Sequence, residues 1–143
     1  MISTKGRYAL RAMIDIARYS SLETLVTIKD ISKRENISIK YLEHIISSMI
    51  HAGLLVSLRG NNGGYRLSKD SKKITAYDVL VASEGTLAPV QCLVDENYSC
   101  SRCSICSTVG FWKGYYKIIK EYLSSKSLQD FVDELSIDNY SII

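Results

Sequence analysis

Between Val26 and Ser68 the hydrophobic period of the chain changes from helical to alternating, and few folds accommodate that order. Thr27 is placed to cap a short helix over residues 27–35, with Asp30 three positions on as the carboxylate of a capping box. Val26 and Ile31 fall at the hydrophobic-staple positions. Asn36, Ile37 and Ser38 make a three-residue turn, and Ser38 can cap a second helix to about Ala52. The apolar face of that helix is Leu42, Ile45, Ile46, Met49 and Ile50, and Gly53 is its stop. Leu54, Val56 and Leu58 then alternate with Leu55, Ser57 and Arg59, the period of a strand. The run from Gly60 to Gly64 reads as a turn, because Gly and Asn supply positive φ, and Tyr65 to Ser68 returns as the partner strand. Two short helices with a tight turn, followed at once by a hairpin, make a winged helix-turn-helix. A helix pair that packs and reads nothing would satisfy the first half of this pattern; the hairpin weighs against it.

The outer face of the second helix carries Lys40, Tyr41, Glu43, His44, Ser47 and Ser48. Side chains of this kind reach base edges and phosphates. The hairpin tip has no bulky side chain, and Arg59 and Arg66 flank it, an arrangement suited to a narrow minor groove or its phosphates. The lack of a GK[ST] sequence and of a helix opening after the glycines weighs against a phosphate-cradling P-loop. Charge follows the same division. Residues 1–75 hold 13 Lys and Arg against 6 Asp and Glu, whereas residues 76–143 hold 5 against 9. A basic half is the footprint of phosphate-backbone binding, although a solvated face has the same composition.

The remaining segments read as helices. Residues 3–20 present Ala9, Met13, Ile16 and Ala17 on one face behind a Ser3 or Thr4 cap. Thr75 caps a helix with Asp78 at its third position and an Ile74–Val79 staple, ending at Gly85. A long helix opens at Ser107 or Thr108 and runs to about Ser124. It carries two stripes: a heptad seam of Val109, Trp112, Tyr116, Ile119 and Leu123, and beside it Phe111, Tyr115, Ile118 and Tyr122. Two stripes imply burial on two sides, and the seam is the expected dimerisation surface. A last helix from Ser127 is expected to bury Leu128, Phe131, Val132 and Leu135. The chain therefore divides into a head at 1–85, a loop at 86–107 and a dimerisation and C-terminal part at 108–143. No run approaches a membrane span, and the charged N-terminus is no secretion signal, which points to the cytoplasm and to no membrane partner.

All four cysteines lie within residues 92–106: Cys92, Cys100, Cys103 and Cys106, spaced C-x(7)-C-x(2)-C-x(2)-C among Asp, Glu, Asn, Ser and Arg. Buried packing cysteines would stand among apolar neighbours. Clustered thiols in a reducing compartment point to metal or redox chemistry. Thiolates suit an iron–sulfur cluster or zinc, and Asp95 and Glu96 are oxygen alternatives in the same loop. A dithiol pair, Cys100/Cys103 or Cys103/Cys106, is the third option, without the βαβ frame or neighbouring His of a dithiol enzyme.

The strings STKGRYALRAMIDIA, KYLEHIISSM, AGLLVSLRG, GGYRL and ITAYDVL resemble the family of bacterial winged-helix regulators that includes IscR, NsrR and CymR. The resemblance implies a mainly α fold with a small hairpin wing, and a homodimer crossed by the long helix that binds a pseudo-palindromic double-stranded DNA operator, not an enzyme. It places Ser38, Lys40, Tyr41, Glu43 and His44 at the start of the DNA-reading helix, and Arg59 and Gly60 in the wing. In IscR-like members three loop cysteines bind an iron–sulfur cluster, and Cys92, Cys100 and Cys106 match them in order. Cys103 is the first choice for a fourth ligand, because the position of the family's His is Val109 here. Where NsrR-like members use an N-terminal Asp, this chain offers Tyr8. The expected cofactor is an iron–sulfur cluster, [2Fe–2S] ahead of [4Fe–4S], with structural zinc as the alternative. CymR-like members, which repress cysteine-metabolism genes without a cluster, are the competing model.

Overall fold

The computed structural model describes residues 1–95, 97 and 100–141, with side chains as far as Ile137. Six helices and one antiparallel hairpin are present among them. Ser3 opens α1 (Thr4–Tyr19) by accepting the Gly6 N–H at 3.1 Å. Thr27 opens α2 (Ile28–Glu35), and both bonds of its capping box with Asp30 form. Asn36 then takes a left-handed conformation, φ 54°, and turns the chain into α3 (Ile39–His51), capped by Ser38. An Asn tolerates that region better than most residues.

Strands β1 (Leu55–Leu58) and β2 (Gly64–Leu67) pair with Leu55 opposite Leu67 and Leu58 opposite Gly64. The hairpin is tied to the head by a short third rung. The N–H of Val26 donates to the Tyr65 carbonyl at 2.9 Å, and that of Tyr65 returns to Val26 at 2.8 Å. α4 (Ala76–Glu84) has its own capping box, Thr75 with Asp78. α5 (Val109–Ser124) and α6 (Leu128–Ser141) follow the cysteine loop.

The core is built from the apolar stripes of α1, α2, α3 and α4. Met13, Ile16, Ile31, Leu42, Ile45, Met49 and Val79 are fully buried. Leu128 at the start of α6 joins them, and its burial contributes roughly 1.5–3 kcal/mol. Backbone bonds at 2.8 Å, Leu128 N–H to Ile74 and Ala76 N–H to Lys126, lock the α6 entry onto the head. No helix among the described residues is long and apolar enough to cross a membrane.

Three local expectations change. The alternation of Leu54, Val56 and Leu58 does not hold: Leu54 and Leu55 are both buried, while Leu58 is 46% exposed. The Leu54 N–H closes the end of α3 on the Met49 carbonyl, so the strand starts one residue later and Leu55 is its inward residue. In the wing loop, Gly60 alone among its described residues takes a positive φ, 121°. Gly64 serves close approach instead: a Cβ there would stand 2.7 Å from the Val26 carbonyl oxygen. At the ends of two apolar stripes, Ile50 of α3 and Leu135 of α6 are exposed.

The two stripes of α5 differ in exposure. Its heptad seam, Val109, Trp112, Tyr116, Ile119 and Leu123, is half-buried within the chain, and α5 packs on α4. The neighbouring stripe is the open one: Phe111, Tyr115, Ile118 and Tyr122 are 65%, 47%, 66% and 61% exposed. The seam is therefore partly covered within the chain, while the stripe beside it is open to solvent. Placing α4 beside the seam uses it for intrachain packing and leaves the flanking aromatic stripe free.

Candidate nucleic-acid interface and cysteine loop

The first turn of α3 is fixed by Ser38, whose hydroxyl accepts the Tyr41 N–H at 3.2 Å. Ser38, Lys40, Glu43 and His44 are exposed on one side of the helix, away from buried Leu42, Ile45 and Ile46. Tyr41 differs from them. It is half-buried, and its ring meets Tyr8 of α1 edge to face at 5.6 Å between centroids. Tyr8 also lies under the Arg11 guanidinium, 5.3 Å from its ring centre. Tyr8 is thus engaged at the α3 entry, where its ring fixes Tyr41. Lys5 of α1 donates to the Ser48 hydroxyl at 3.1 Å and adds a cation along the outer face of α3. Lys5 lies off the apolar face of α1, and its bond to α3 is a tertiary contact with no local sequence signal.

An ion pair with a buried carboxylate joins α1 to α2. Asp15 of α1, 4% exposed, accepts Arg34 Nε and Nη2 of α2, both at 2.8 Å. The Arg34 guanidinium also covers the Tyr19 ring at 4.0 Å. Asp15 holds Arg34 protonated by this fork, raising its pKa further above the ordinary guanidinium value. The bidentate geometry sets the distance between α1 and α2, and hence the pose of α3. Arg59 and Gly60 are exposed at the wing tip, on the hairpin that directly follows α3. Exposed hydrogen-bonding groups on one helix, a backbone-accessible wing and surrounding cations form a surface that a duplex can meet in groove and on phosphates at once.

In the loop, Cys92 lies in a 3-10 turn (Gln91–Leu93). Cys92, Asp95, Cys100 and Cys103 line one concavity of about 320 Å³, with Val109 and Lys113 of α5 on its wall. Cys106 is not among these lining residues. Its sulfur lies 3.5 Å from the Thr108 hydroxyl at the start of α5. Hydrogen bonds from the Thr108 hydroxyl and backbone favour its thiolate and lower its pKa below the usual thiol range. Glu96, the other oxygen alternative, lies outside the described residues.

The donor chemistry suits a soft metal centre: four thiols, one carboxylate and a neighbouring ammonium. The donors are not assembled, however. Among the described residues no three His, Cys, Asp or Glu side chains form a group that could hold a metal ion. The three cysteines matched by resemblance are therefore split, with Cys92 and Cys100 at the concavity and Cys106 beside Thr108.

Comparison with known proteins agrees with this architecture. A family model described as Rrf2, an iron-dependent transcriptional regulator, matches residues 2–134. The protein rrf2 of Nitratidesulfovibrio vulgaris is 38% identical over 136 residues, covering 95% of this chain and 89% of that protein. Among solved structures, CymR of B. subtilis, the global cysteine regulator, superposes with a TM-score of 0.75 at 35% identity, covering 94% of this chain and 97% of that one. IscR of T. potens gives 0.73 at 32%, covering 94% and 88%. These relatives are regulators rather than enzymes, and the match takes in the head, the loop and α5 together. The chain thus belongs to the Rrf2 family of transcriptional regulators.

Proposed function

We propose that this protein is a cytoplasmic, homodimeric DNA-binding regulator, acting as a repressor, whose operator affinity is set by the state of the 92–106 loop. The observation that carries the reading is the exposed polar face of α3 beside an open wing, in a chain whose long helix leaves an aromatic stripe uncovered. Residues 1–85 form the DNA-binding head, with Ser38, Lys40, Tyr41, Glu43 and His44 on the reading helix and Arg59 and Gly60 in the wing. Residues 86–107 form the sensing loop, and residues 108–143 join two copies. The interface centres on Phe111, Tyr115, Ile118 and Tyr122, with the seam at its edge. Two heads on one axis then meet half-sites about 34–36 Å apart.

In the loop, Cys92, Cys100 and Cys106 would hold an iron–sulfur cluster, of the [2Fe–2S] type first, with Cys103 as the fourth ligand. A bound cluster would supply a redox-active centre tuned by its ligands and solvent exposure. Residues 92–106 run directly into α5, so closing the loop fixes the first turn of the dimer helix. Regulation requires the two loop states to differ in affinity for DNA.

A second reading, a cluster-free regulator resembling CymR, is supported by the fold match to CymR. Zinc would close the same thiols without redox chemistry. One experiment separates the three. The protein is prepared without oxygen, its iron, sulfide, zinc and visible absorption are recorded, and DNA affinity is measured before and after chelation. The sensor reading expects iron and sulfide, colour, and a change in affinity on chelation. Colourless, iron-free protein with full affinity would leave the cluster-free reading, and zinc content the structural one.

A further inference from the structure

Cys103 has no counterpart among the three cysteines that match IscR-like members, and its surroundings give it a partner. The Cys103 N–H donates to the Cys100 carbonyl at 3.1 Å, closing the four-residue turn Cys100-Ser101-Arg102-Cys103. A second turn, Arg102 to Ile105, overlaps it. Such a turn brings its end Cα atoms within about 7 Å. Disulfides form over Cα separations of about 4.4–6.8 Å. Both thiols line the same concavity; Cys103 is exposed and Cys100 half-buried. Among the described residues no backbone hydrogen bond closes 103–106, and the Cys106 sulfur faces Thr108 instead.

We propose that Cys100 and Cys103 form a reversible intramolecular disulfide, a redox modification site in the loop. The oxidant is a low-molecular-weight disulfide, RSSR. The exposed Cys103 thiolate attacks one sulfur of RSSR, giving the mixed disulfide at Cys103 and releasing one RSH. Cys100 then attacks the Cys103 sulfur, forming the Cys100–Cys103 bond and releasing the second RSH. Two electrons pass from the protein sulfurs to RSSR, and the two thiol protons leave on the two RSH molecules. Closing the pair withdraws two of the four thiolates from any metal. That consequence rests on the metal reading above, whereas the disulfide does not.

The test uses the full chain, freed of metal by chelation without oxygen and checked for helix content by circular dichroism. It is equilibrated with graded mixtures of oxidised and reduced glutathione, quenched in acid, and its free thiols are alkylated. Mass spectrometry after cleavage at Arg102 and Tyr98, which separates Cys92, Cys100 and Cys103 into different peptides, locates the bond. Cys106→Ser resolves the remaining ambiguity. The expected result is loss of two thiols per chain and a Cys100–Cys103 cross-link that persists in Cys92→Ser and Cys106→Ser and disappears in Cys103→Ser. A cross-link to Cys92 or Cys106, glutathione adducts alone, or four alkylatable thiols at the most oxidising mixture would overturn it. If the disulfide forms but the reduced chain takes up neither iron nor zinc, the metal reading fails and this inference stands.

Discussion

Substituting Arg34 by Ala tests how the head is held in register. The change removes both hydrogen bonds to Asp15, which is 4% exposed, and leaves a buried carboxylate without its countercharge. Breaking a buried pair in this way costs about 3–5 kcal/mol. Two features of the site adjust that range. The Arg34 side chain is 32% exposed. It also borders an open cavity of about 490 Å³ lined by Arg11, Asp15 and Arg18, so water and those neighbours reach the abandoned carboxylate. Both favour the lower end. Loss of the contact with the Tyr19 ring adds roughly 0.5–1 kcal/mol. The expected loss is therefore about 3–4 kcal/mol, which for a chain of this size lowers Tm by roughly 10 °C. Asp15→Ala should cost less, because its half-exposed guanidinium partner rehydrates. The double variant should be less destabilised than the two single losses added together. Urea unfolding followed by circular dichroism at neutral pH measures all three. An Arg34→Ala loss below about 1 kcal/mol, or strict additivity in the cycle, would refute the claim that this fork sets the α1–α2 packing.

Three further predictions address the other parts. Ile118→Glu with Tyr122→Glu places charge in the exposed α5 stripe and should convert the protein from twice the 16.1 kDa chain mass to once that mass in sedimentation velocity. An unchanged dimer would locate the interface elsewhere. Gly64→Ala drives a Cβ to within 2.7 Å of the Val26 carbonyl and should destabilise by about 1–3 kcal/mol, read as a lower urea midpoint with α3 retained. Thr108→Val removes the hydrogen bond that favours the Cys106 thiolate, so the pH midpoint for alkylation of Cys106 should rise toward that of an ordinary thiol. An unmoved midpoint would show that Thr108 does not control it.

Local chemistry was legible in the residues themselves. Thr27 with Asp30, Thr75 with Asp78, and Ser38 before α3 are caps whose partners lie three positions away, and all of them form. What depends on distant packing was not legible. Asp15 and Arg34 are 19 positions apart, and neither periodicity nor spacing marks them as a pair. Both stripes of α5 are apolar, and only the position of α4 decides that the heptad seam turns inward. The start of β1 shifted because Leu54 is used to close α3, a competition between two backbone demands that alternation cannot register. In the loop, sequence spacing singled out the cysteines, but turn geometry separated Cys106 from the other three.

The central claim, that the face of α3 and the wing tip read an operator, is tested most directly by selecting bound duplexes from a random library. Affinity for the selected site is then titrated against salt for the wild type, Glu43→Ala and Arg59→Ala. The account predicts a pseudo-palindromic site. Glu43→Ala should alter base preference within the half-site, because a carboxylate there accepts from cytosine N4. Arg59→Ala should weaken binding across sequences and lower the salt slope by about one. An unenriched library, or two variants indistinguishable from the wild type in preference, affinity and slope, would contradict it.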